Sequence, residues 1–343
     1  MYGKKSSYGK YRMLWTLVSV VVVMSLLLSG CGQAQEKKVY RVGVLSGLSA
    51  FAPIFDGFKA QMTELGYIEG ENITYDVQST ETDIEAYKRI TKKFVEDKVD
   101  LIFVFPTEAS MEAKAATQGT DIPVVFAMSF TDVAGVDLID SVREPGGNIT
   151  GVRFPSVDIA VKRLEFLSQM VPDAKRILVP YLKGYPSVPG QLDAIRPQAE
   201  NLKIDLIEYS ASSPDELQAE MDRLATAGPD EGIDAILIIA EPLGNTPSFY
   251  TILGKYSYDH NVPIGGSLMS VDGYDSIFGL RPDSLAVGKE AASLADKVLK
   301  GTPAGTIPVF TSDSSFQINY KVAQKLGVTV PEGLLKQADD IIR

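Results

Sequence analysis

The segment Leu101–Phe105, with the sequence LIFVF, decides the fold class. Its residues are all apolar, which is typical of a strand buried on both faces of a parallel sheet. The segment Ile122–Phe126, IPVVF, is a second strand of this kind, and one helix is predicted between the two. Parallel neighbours need such a crossover, so the pair predicts an α/β fold.

The same order of elements occurs twice along the chain. Each half holds an apolar strand, a helix, an alternating strand, a second helix and a fully apolar strand. The strands are predicted at Arg41–Leu45, Asn72–Val77, Leu101–Phe105 and Ile122–Phe126, and again at Arg176–Val179, Ile204–Tyr209, Ile233–Ile239 and Val262–Gly265. The repeat predicts two similar doubly wound parallel-sheet lobes joined by a hinge. A single fused domain is the alternative.

Helix-start signals and turns set the expected boundaries. Thr82–Glu85 (TDIE) and Ser213–Glu216 (SPDE) have the pattern of capping boxes. Pro145–Asn148 (PGGN) suits a chain that crosses from one lobe to the other. We expect residues 39–149 plus about 275–303 in the first lobe, and 150–274 plus about 304–343 in the second. The tail is expected to pass back and forth between them.

The N-terminus has the layout of an export signal. Lys4, Lys5, Lys10 and Arg12 precede the uncharged, mostly apolar run Met13–Leu28, and Leu28–Cys31 (LSGC) follows. The last four residues resemble a bacterial lipobox, whose cysteine is lipidated and becomes the first mature residue. Residues 1–30 are therefore predicted as a lipoprotein signal peptide, Cys31 as the lipidation site and residues 31–38 as a tether. An uncleaved anchor is the alternative, although the run is shorter than the roughly 20 residues that span a bilayer.

Charge and composition exclude several classes. The net charge is −11, and the segment before Cys31 carries four basic residues and no acids, so the remainder is more acidic still. Such a surface does not suit nucleic acid. Cys31 is the only cysteine, so no disulfide forms within the chain. No nucleophile elbow, phosphate loop or zinc motif occurs, and no enzyme activity, metal or cofactor is expected. Paired carboxylates for glycoside hydrolysis remain an open alternative.

Candidate ligand residues of the first lobe follow its strands, because ligands of open parallel sheets bind outside the carboxyl ends of the strands. The candidates are Ser49, Ala50, Phe51, Thr107, Glu108, Ser129, Phe130 and Asp132. Backbone N–H groups in the turn 49–51 suit a carboxylate, Glu108 suits an amine, and Phe130 beside Asp132 suits a zwitterionic solute. The simpler interpretation is a set of helix caps and turns, with Glu108 complementing a helix dipole.

The second lobe offers matching positions. They are Tyr181, Glu241, Ser267 and Asp272, with Tyr185 in the same loop as Tyr181. Aromatic faces on both lobes would sandwich a flat ligand. Glu241 stands before a proline at a strand end, which favours a cleft position. Asp272-Gly273 is also typical of a plain turn.

Several stretches carry a family resemblance. They are Asp56–Phe58, Glu64–Ile73, Ala113–Thr117, Ile122–Ala127, Pro145–Val152 and Ile318–Ala323, followed by Leu326–Val328 and Pro331. Their order and spacing resemble the ABC-transporter substrate-binding protein family of the tryptophan/tyrosine type, over essentially the whole chain after the N-terminal segment. The chain departs from that family at Thr131–Val133, where an aspartate-proline pair is common. It also departs at Tyr181–Gly190, where many members have an asparagine-rich turn.

The resemblance implies a type I periplasmic-binding fold and a function. A small solute is captured outside the cell in the cleft between the lobes and delivered to an ABC permease with its cytoplasmic ATPase. Aromatic or branched amino acids are the favoured solutes, with nucleosides and sugars left open. We expect a monomer on the outer face of the cell membrane. The alternative is a ligand sensor of the same fold that presents its closed state to a membrane receptor.

Overall fold

Two sheets carry the fold. The computed structural model describes residues 38–81, 83–133, 135–228, 231–267 and 269–343. The strands within these residues are β1 (Tyr40–Ser46), β2 (Ile73–Ser79), β3 (Leu101–Phe105), β4 (Val124–Ser129), β5 (Ile149–Arg153), β6 (Arg176–Leu182), β7 (Asp205–Ala211), β8 (Ala235–Leu237), β9 (Ile264–Gly266), β10 (Ser270–Val271), β11 (Tyr274–Asp275), β12 (Phe278–Pro282), β13 (Phe310–Thr311), β14 (Ser314–Asn319) and β15 (Asp340–Ile342). The α-helices within these residues are α1 (Ala52–Glu64), α2 (Ile84–Glu96), α3 (Thr107–Ala116), α4 (Ser156–Met170), α5 (Val188–Leu202), α6 (Pro214–Ala225), α7 (Pro247–His260), α8 (Ser284–Leu299), α9 (Tyr320–Lys325) and α10 (Glu332–Gln337).

Some predictions fall on residues that the structure does not describe. The predicted signal segment, Cys31 and nearly all of the predicted tether lie outside the described ranges, as does Thr82. None of the helices in those ranges is both long enough and apolar enough to cross a membrane.

The two sheets repeat one topology. The first has the order β2-β1-β3-β4-β5-β13, with every neighbouring pair parallel. The second has the order β7-β6-β8-β9-β12-β14-β15, in which only β12 and β14 pair antiparallel. The order 2-1-3-4-5 thus recurs as 7-6-8-9-12, a doubly wound arrangement. The predicted fold class of two similar α/β lobes is confirmed.

Helices cover both faces of each sheet. In the first lobe, α1 and α8 bury one face, and α2 and α3 bury the other. In the second lobe, α4, α5, α9 and α10 bury one face, and α6 and α7 bury the other. Strands buried on both faces need continuous apolar runs, which is why β3 and β4 are apolar or small at nearly every position.

The chain crosses between the lobes three times within the described residues. Residues 154–155 join β5 to α4, Asp283 joins β12 to α8, and residues 312–313 join β13 to β14. The tail therefore passes back and forth between the lobes. These three short segments form the hinge.

The observed lobe boundaries differ from the expected ones. The turn Pro145–Asn148 does not cross between lobes: the N–H of Gly146 donates to the carbonyl oxygen of Gly305 at 3.1 Å, and β5 then pairs with β4 in the first sheet. Similarly, β12 belongs to the second sheet and β13 to the first, the reverse of the expected assignment. The local pattern indicates a strand but not the sheet that the strand joins, because that choice depends on contacts with residues far away in the sequence.

One of the two predicted capping boxes starts its helix as expected. The hydroxyl of Ser213 accepts from the N–H of Glu216 at 3.2 Å. At the other helix the cap is Asp83, whose carboxylate accepts from the N–H of Ala86 at 3.0 Å. The cap of α2 is therefore one residue later than the predicted Thr82.

Glycines set the contact between α1 and α8. A Cβ added at Gly288 would lie 1.9 Å from the carbonyl oxygen of Ile54, and one at Gly57 would lie 2.1 Å from that of Leu285. Backbone atoms cannot yield as a flexible side chain can. The two helices therefore pack at a separation that only glycine permits at these positions.

We expect Gly288→Ala to lower the free energy of unfolding by about 2 kcal/mol or more, because overpacking outweighs the better helix propensity of alanine. Chemical denaturation measures the change. Gly333→Ala in α10 is the matched control, since nothing lies within 4 Å of its added Cβ, and it is expected to be neutral or stabilising. Equal stability of the Gly288→Ala variant and the parent would contradict the packing argument.

Candidate functional site

Loops from both lobes meet where their strands end. Glu108 is the second residue of α3, the helix that follows β3, and Tyr185 lies in the loop after β6. The hydroxyl of Tyr185 donates to Oε1 of Glu108 at 3.2 Å. The ring of Phe130, after β4, lies edge-on to that of Tyr185 with 6.4 Å between centroids. The loops after three strands, two in one lobe and one in the other, therefore face one cleft.

A cavity of about 210 Å³ opens at this meeting point. Its lining comes from both lobes and consists of Ile84, Thr107, Glu108, Met111, Glu112, Phe130, Val136, Tyr185 and Pro186. The lining combines two carboxylates with two aromatic rings. Such a combination suits a flat apolar ring that carries a positive group.

The wall of the first lobe is held by side chains that link its two loops. Oγ1 of Thr107 accepts from the N–H of Phe130 at 2.9 Å. The hydroxyls of Ser110 and Ser129 lie 2.9 Å apart and are both buried. The loops after β3 and β4 are therefore fixed to each other, and Glu108 and Phe130 are presented together.

Phe130 also contacts the hinge. Its ring lies edge-on to that of Phe154, with 5.6 Å between the centroids. The N–H of Phe154, in the first crossing, donates to the carbonyl oxygen of Ser129 at 2.9 Å. An aromatic group of the cleft is thus packed on one of the three segments that join the lobes.

The wall of the second lobe is fixed by Gln191. This side chain, buried in α5, accepts from the N–H of Ala240 at 2.7 Å and donates to the carbonyl oxygen of Ala240 at 2.9 Å. The hydroxyl of Ser187 donates to the same carbonyl at 3.0 Å. These bonds tie the loop after β8 to the start of α5, next to Tyr185.

Glu241 also stabilises the loop after β8. Its carboxylate accepts from the N–H groups of Leu182 and Leu243, both at 3.0 Å, and of Gly244 at 3.3 Å. Burial raises the pKa of Glu241, although these three N–H groups pull it down. A carboxylate with these three bonds organises the turn after β8, and the ligand contact of Glu241 stays a prediction.

Arg163 is a fully enclosed cation beneath this wall. It donates to the carbonyl oxygen of Leu280 at 3.1 and 2.8 Å and to that of Ile238 at 3.1 Å. Burial lowers the pKa of Arg163 to about 9, with the charge of Arg281 acting in the same direction and Glu241 opposing it. Arg163 joins α4, which starts at the hinge, to the residue after β8 and to the middle of β12.

Asp132 lies beside the hinge. The surrounding protein raises the pKa of its carboxyl by desolvation, and Asp158 in the second lobe adds to that effect, while Arg153 opposes it. Its side chain is nevertheless exposed. The structure thus places Asp132 near both lobes but outside the cavity lining.

The turn Ser49–Phe51 uses its own contacts. The N–H of Ser49 donates to Oε1 of Glu81 at 3.2 Å, and Ser49 and Ala50 are exposed. Phe51 packs against the core of the first lobe. An N–H group predicted to hold a solute carboxylate thus holds one from the chain itself.

Three predicted residues of the second lobe have structural contacts. Tyr181 lies within β6 and packs against the core of the second lobe. Ser267 is buried, and its carbonyl oxygen accepts from the hydroxyl of Ser276 at 2.7 Å. Asp272 has φ 53° in the turn of the β10–β11 hairpin, and its carboxylate accepts from Thr251 at 2.9 Å. The turn interpretation of Asp272 therefore describes the structure.

The structure brings together Thr107, Glu108 and Phe130 of the predicted set, with Tyr185 from the other lobe. Arg163, Gln191 and Met111 were not among the residues predicted from the sequence. Arg163 carries a usable signal, because it interrupts the apolar stripe Ile159, Ala160, Leu164 and Leu167 at helical spacing. A cation in such a stripe indicates a buried polar role. Within the described residues, no group of three His, Cys, Asp or Glu side chains is placed to hold a metal ion.

Residues 42–342 match the family model described as ABC transporter substrate binding protein. The chain belongs to that family. Its members bind small solutes outside the cytoplasm and work with a membrane permease and its ATPase. The recognition of the family from sequence is confirmed.

Relatives of this substrate-binding protein extend over nearly the same length. A tyrosine-binding protein of Clostridioides difficile (strain R20291) is 27% identical over 323 residues, 89% of each chain. A ligand-free, open structure of a Clostridium difficile substrate-binding protein with adhesive properties is 25% identical, with a TM-score of 0.70 over 88% of this chain and 99% of that one. An ABC domain from Streptococcus pneumonia in complex with L-Trp is 24% identical, with a TM-score of 0.74 over 89% and 100%.

Proposed function

We propose that this substrate-binding protein captures an aromatic amino acid between its lobes. The observation that carries the proposal is the meeting of Phe130 and Tyr185 with the Glu108 carboxylate across the cleft. The rings supply faces and edges for an aromatic side chain. The carboxylate supplies an acceptor for the solute's ammonium group.

The relatives support this choice of solute. The curated relative of Clostridioides difficile is named for binding tyrosine, and the structure from Streptococcus pneumonia holds L-Trp. Both solutes carry an aromatic ring and an ammonium group. The cavity lining of this protein offers partners for both parts.

We also propose that Cys31 anchors the protein to the outer face of the cell membrane. The basic flank, the apolar run and the LSGC stretch support it. Two acyl chains hold a protein firmly, whereas one does not, and the lipobox resemblance implies a diacylglyceryl group. The anchored monomer delivers its solute to an ABC importer in the same membrane.

A thermal-shift screen of residues 32–343 against amino acids, nucleosides and sugars tests the solute. A ligand present at about 100 times its dissociation constant adds roughly 2.7 kcal/mol to stability. We expect tryptophan or tyrosine to give the largest shift and to be recovered unchanged. Unfolding and refolding the protein before the screen removes any solute that it has retained.

The only tryptophan of the chain is Trp15, so residues 32–343 contain none. Bound tryptophan is therefore followed by its own fluorescence without background. A shift with sugars alone, or with no aromatic amino acid, contradicts the proposal.

A further inference from the structure

We propose that Tyr185 is the residue that couples solute recognition to lobe closure, through a latch formed by its hydroxyl and the Glu108 carboxylate. This inference rests on the proposed function, because it concerns the same cleft. It assigns to Tyr185 a role distinct from that of a wall for the solute ring.

The latch joins two rigidly held partners. Glu108 stands in the first turn of α3, and the Thr107–Phe130 hydrogen bond fixes that turn to the loop after β4. Tyr185 lies next to Ser187, whose hydroxyl bonds to Ala240 and so fixes the loop after β6 to the loop after β8. Because each partner is fixed within its own lobe, the distance between them reports the separation of the lobes.

The contact exists only when the lobes are together. The hydrogen bond of 3.2 Å and the ring contact of 6.4 Å both join the first lobe to the second. Opening of the hinge separates the partners and removes both interactions. The latch therefore stabilises the closed conformation alone and shifts the population towards it.

The latch leaves room for a solute on the same carboxylate. Tyr185 uses only one oxygen of Glu108, and an ionised carboxylate has about four acceptor positions. Burial and the charge of Glu108 raise the pKa of Tyr185, so its hydroxyl stays protonated and donates at neutral pH. A solute's ammonium group therefore joins the bond without replacing it.

A closure measurement tests the latch without any ligand. Residues 32–343 contain no cysteine, so Lys92→Cys on α2 and Glu200→Cys on α5 carry a pair of spin labels, one on each lobe. We expect Tyr185→Phe to increase the population at long distance. Tyr181→Phe is the matched control, because Tyr181 lies within β6 of the second lobe and does not take part in the bond to Glu108, and it should leave the distribution unchanged. An unchanged distribution for Tyr185→Phe overturns the inference.

A binding measurement separates a latch from a competitor. With L-tryptophan and with its deaminated analogue indole-3-propionate, we expect Tyr185→Phe to weaken binding by the same factor, about five- to tenfold, mainly through faster dissociation. Tighter binding of L-tryptophan alone would show that Tyr185 competes with the ammonium group and would overturn the latch. Failure of the parent protein to bind either compound contradicts the proposed function, whereas the spin-label result still decides the latch.

Discussion

Replacing Arg163 by methionine is expected to lower the free energy of unfolding by about 3 kcal/mol. The change leaves the carbonyl oxygens of Ile238 and Leu280 without the three hydrogen bonds that Arg163 donates. A buried acceptor without a partner costs about 1 to 3 kcal/mol. The removal of a buried charge recovers part of this loss. The expected net loss of stability is therefore smaller than the sum of the penalties for the two carbonyl oxygens.

Urea denaturation followed by circular dichroism measures this change. Arg143→Met is the matched control, because Arg143 is an exposed residue between β4 and β5 of the first lobe, and it should shift stability by less than about 0.5 kcal/mol. Arg163→Lys is expected to recover only part of the stability, since an ammonium group cannot reproduce the fork of a guanidinium. If Arg163→Met were as stable as the parent, the bonds to the two carbonyls would not be holding the wall of the second lobe.

Replacing Glu108 by glutamine is expected to weaken L-tryptophan binding by about 10- to 100-fold. The variant removes the charge that pairs with the solute's ammonium group, and hydrogen bonds to charged groups contribute about 1.5 to 3 kcal/mol. The glutamine carbonyl still accepts the hydroxyl of Tyr185, so the latch is preserved. Binding of indole-3-propionate, which has no ammonium group, should therefore change less than about threefold.

Isothermal titration calorimetry with both compounds measures this difference. Glu112→Gln is the comparison variant, because Glu112 lines the same cavity one helical turn further along α3 but does not carry the cross-lobe bond. Its effect on L-tryptophan should be clearly smaller. Equal losses for the two compounds in Glu108→Gln would show that Glu108 acts through closure and not through the ammonium group.

The sequence predicted most of the elements because their signals are local. The apolar run at β3 and the serine cap of α6 depend on residues that are neighbours in the chain. The lobe assignment of β5 and β12 was wrong, because it depends on which sheet edge each strand pairs with. That choice is decided by contacts far apart in sequence.

The candidate site could be predicted to the level of loops but not of side chains. Topology selected the loops after β3, β4 and β6, and the structure brings these loops together. Topology did not distinguish Tyr185, whose hydroxyl bonds to Glu108 across the cleft, from Tyr181, which packs against the core of the second lobe. Nor did it separate Glu108 from Glu241, whose carboxylate is used by backbone N–H groups. Whether a polar side chain is used within the chain or faces a cleft depends on packing from other elements.

The threading of the chain between its lobes has a consequence during synthesis. The first lobe needs α8 against α1 and β13 beside β5, so it stays incomplete until the ribosome has passed residue 311. Its two glycine contacts, Gly57 and Gly288, lie more than two hundred residues apart. The nascent polypeptide that follows the N-terminal segment therefore has no finished lobe to fold into. Both lobes are completed only by strands near the C-terminal end of the sequence, β13 for the first lobe and β14 and β15 for the second.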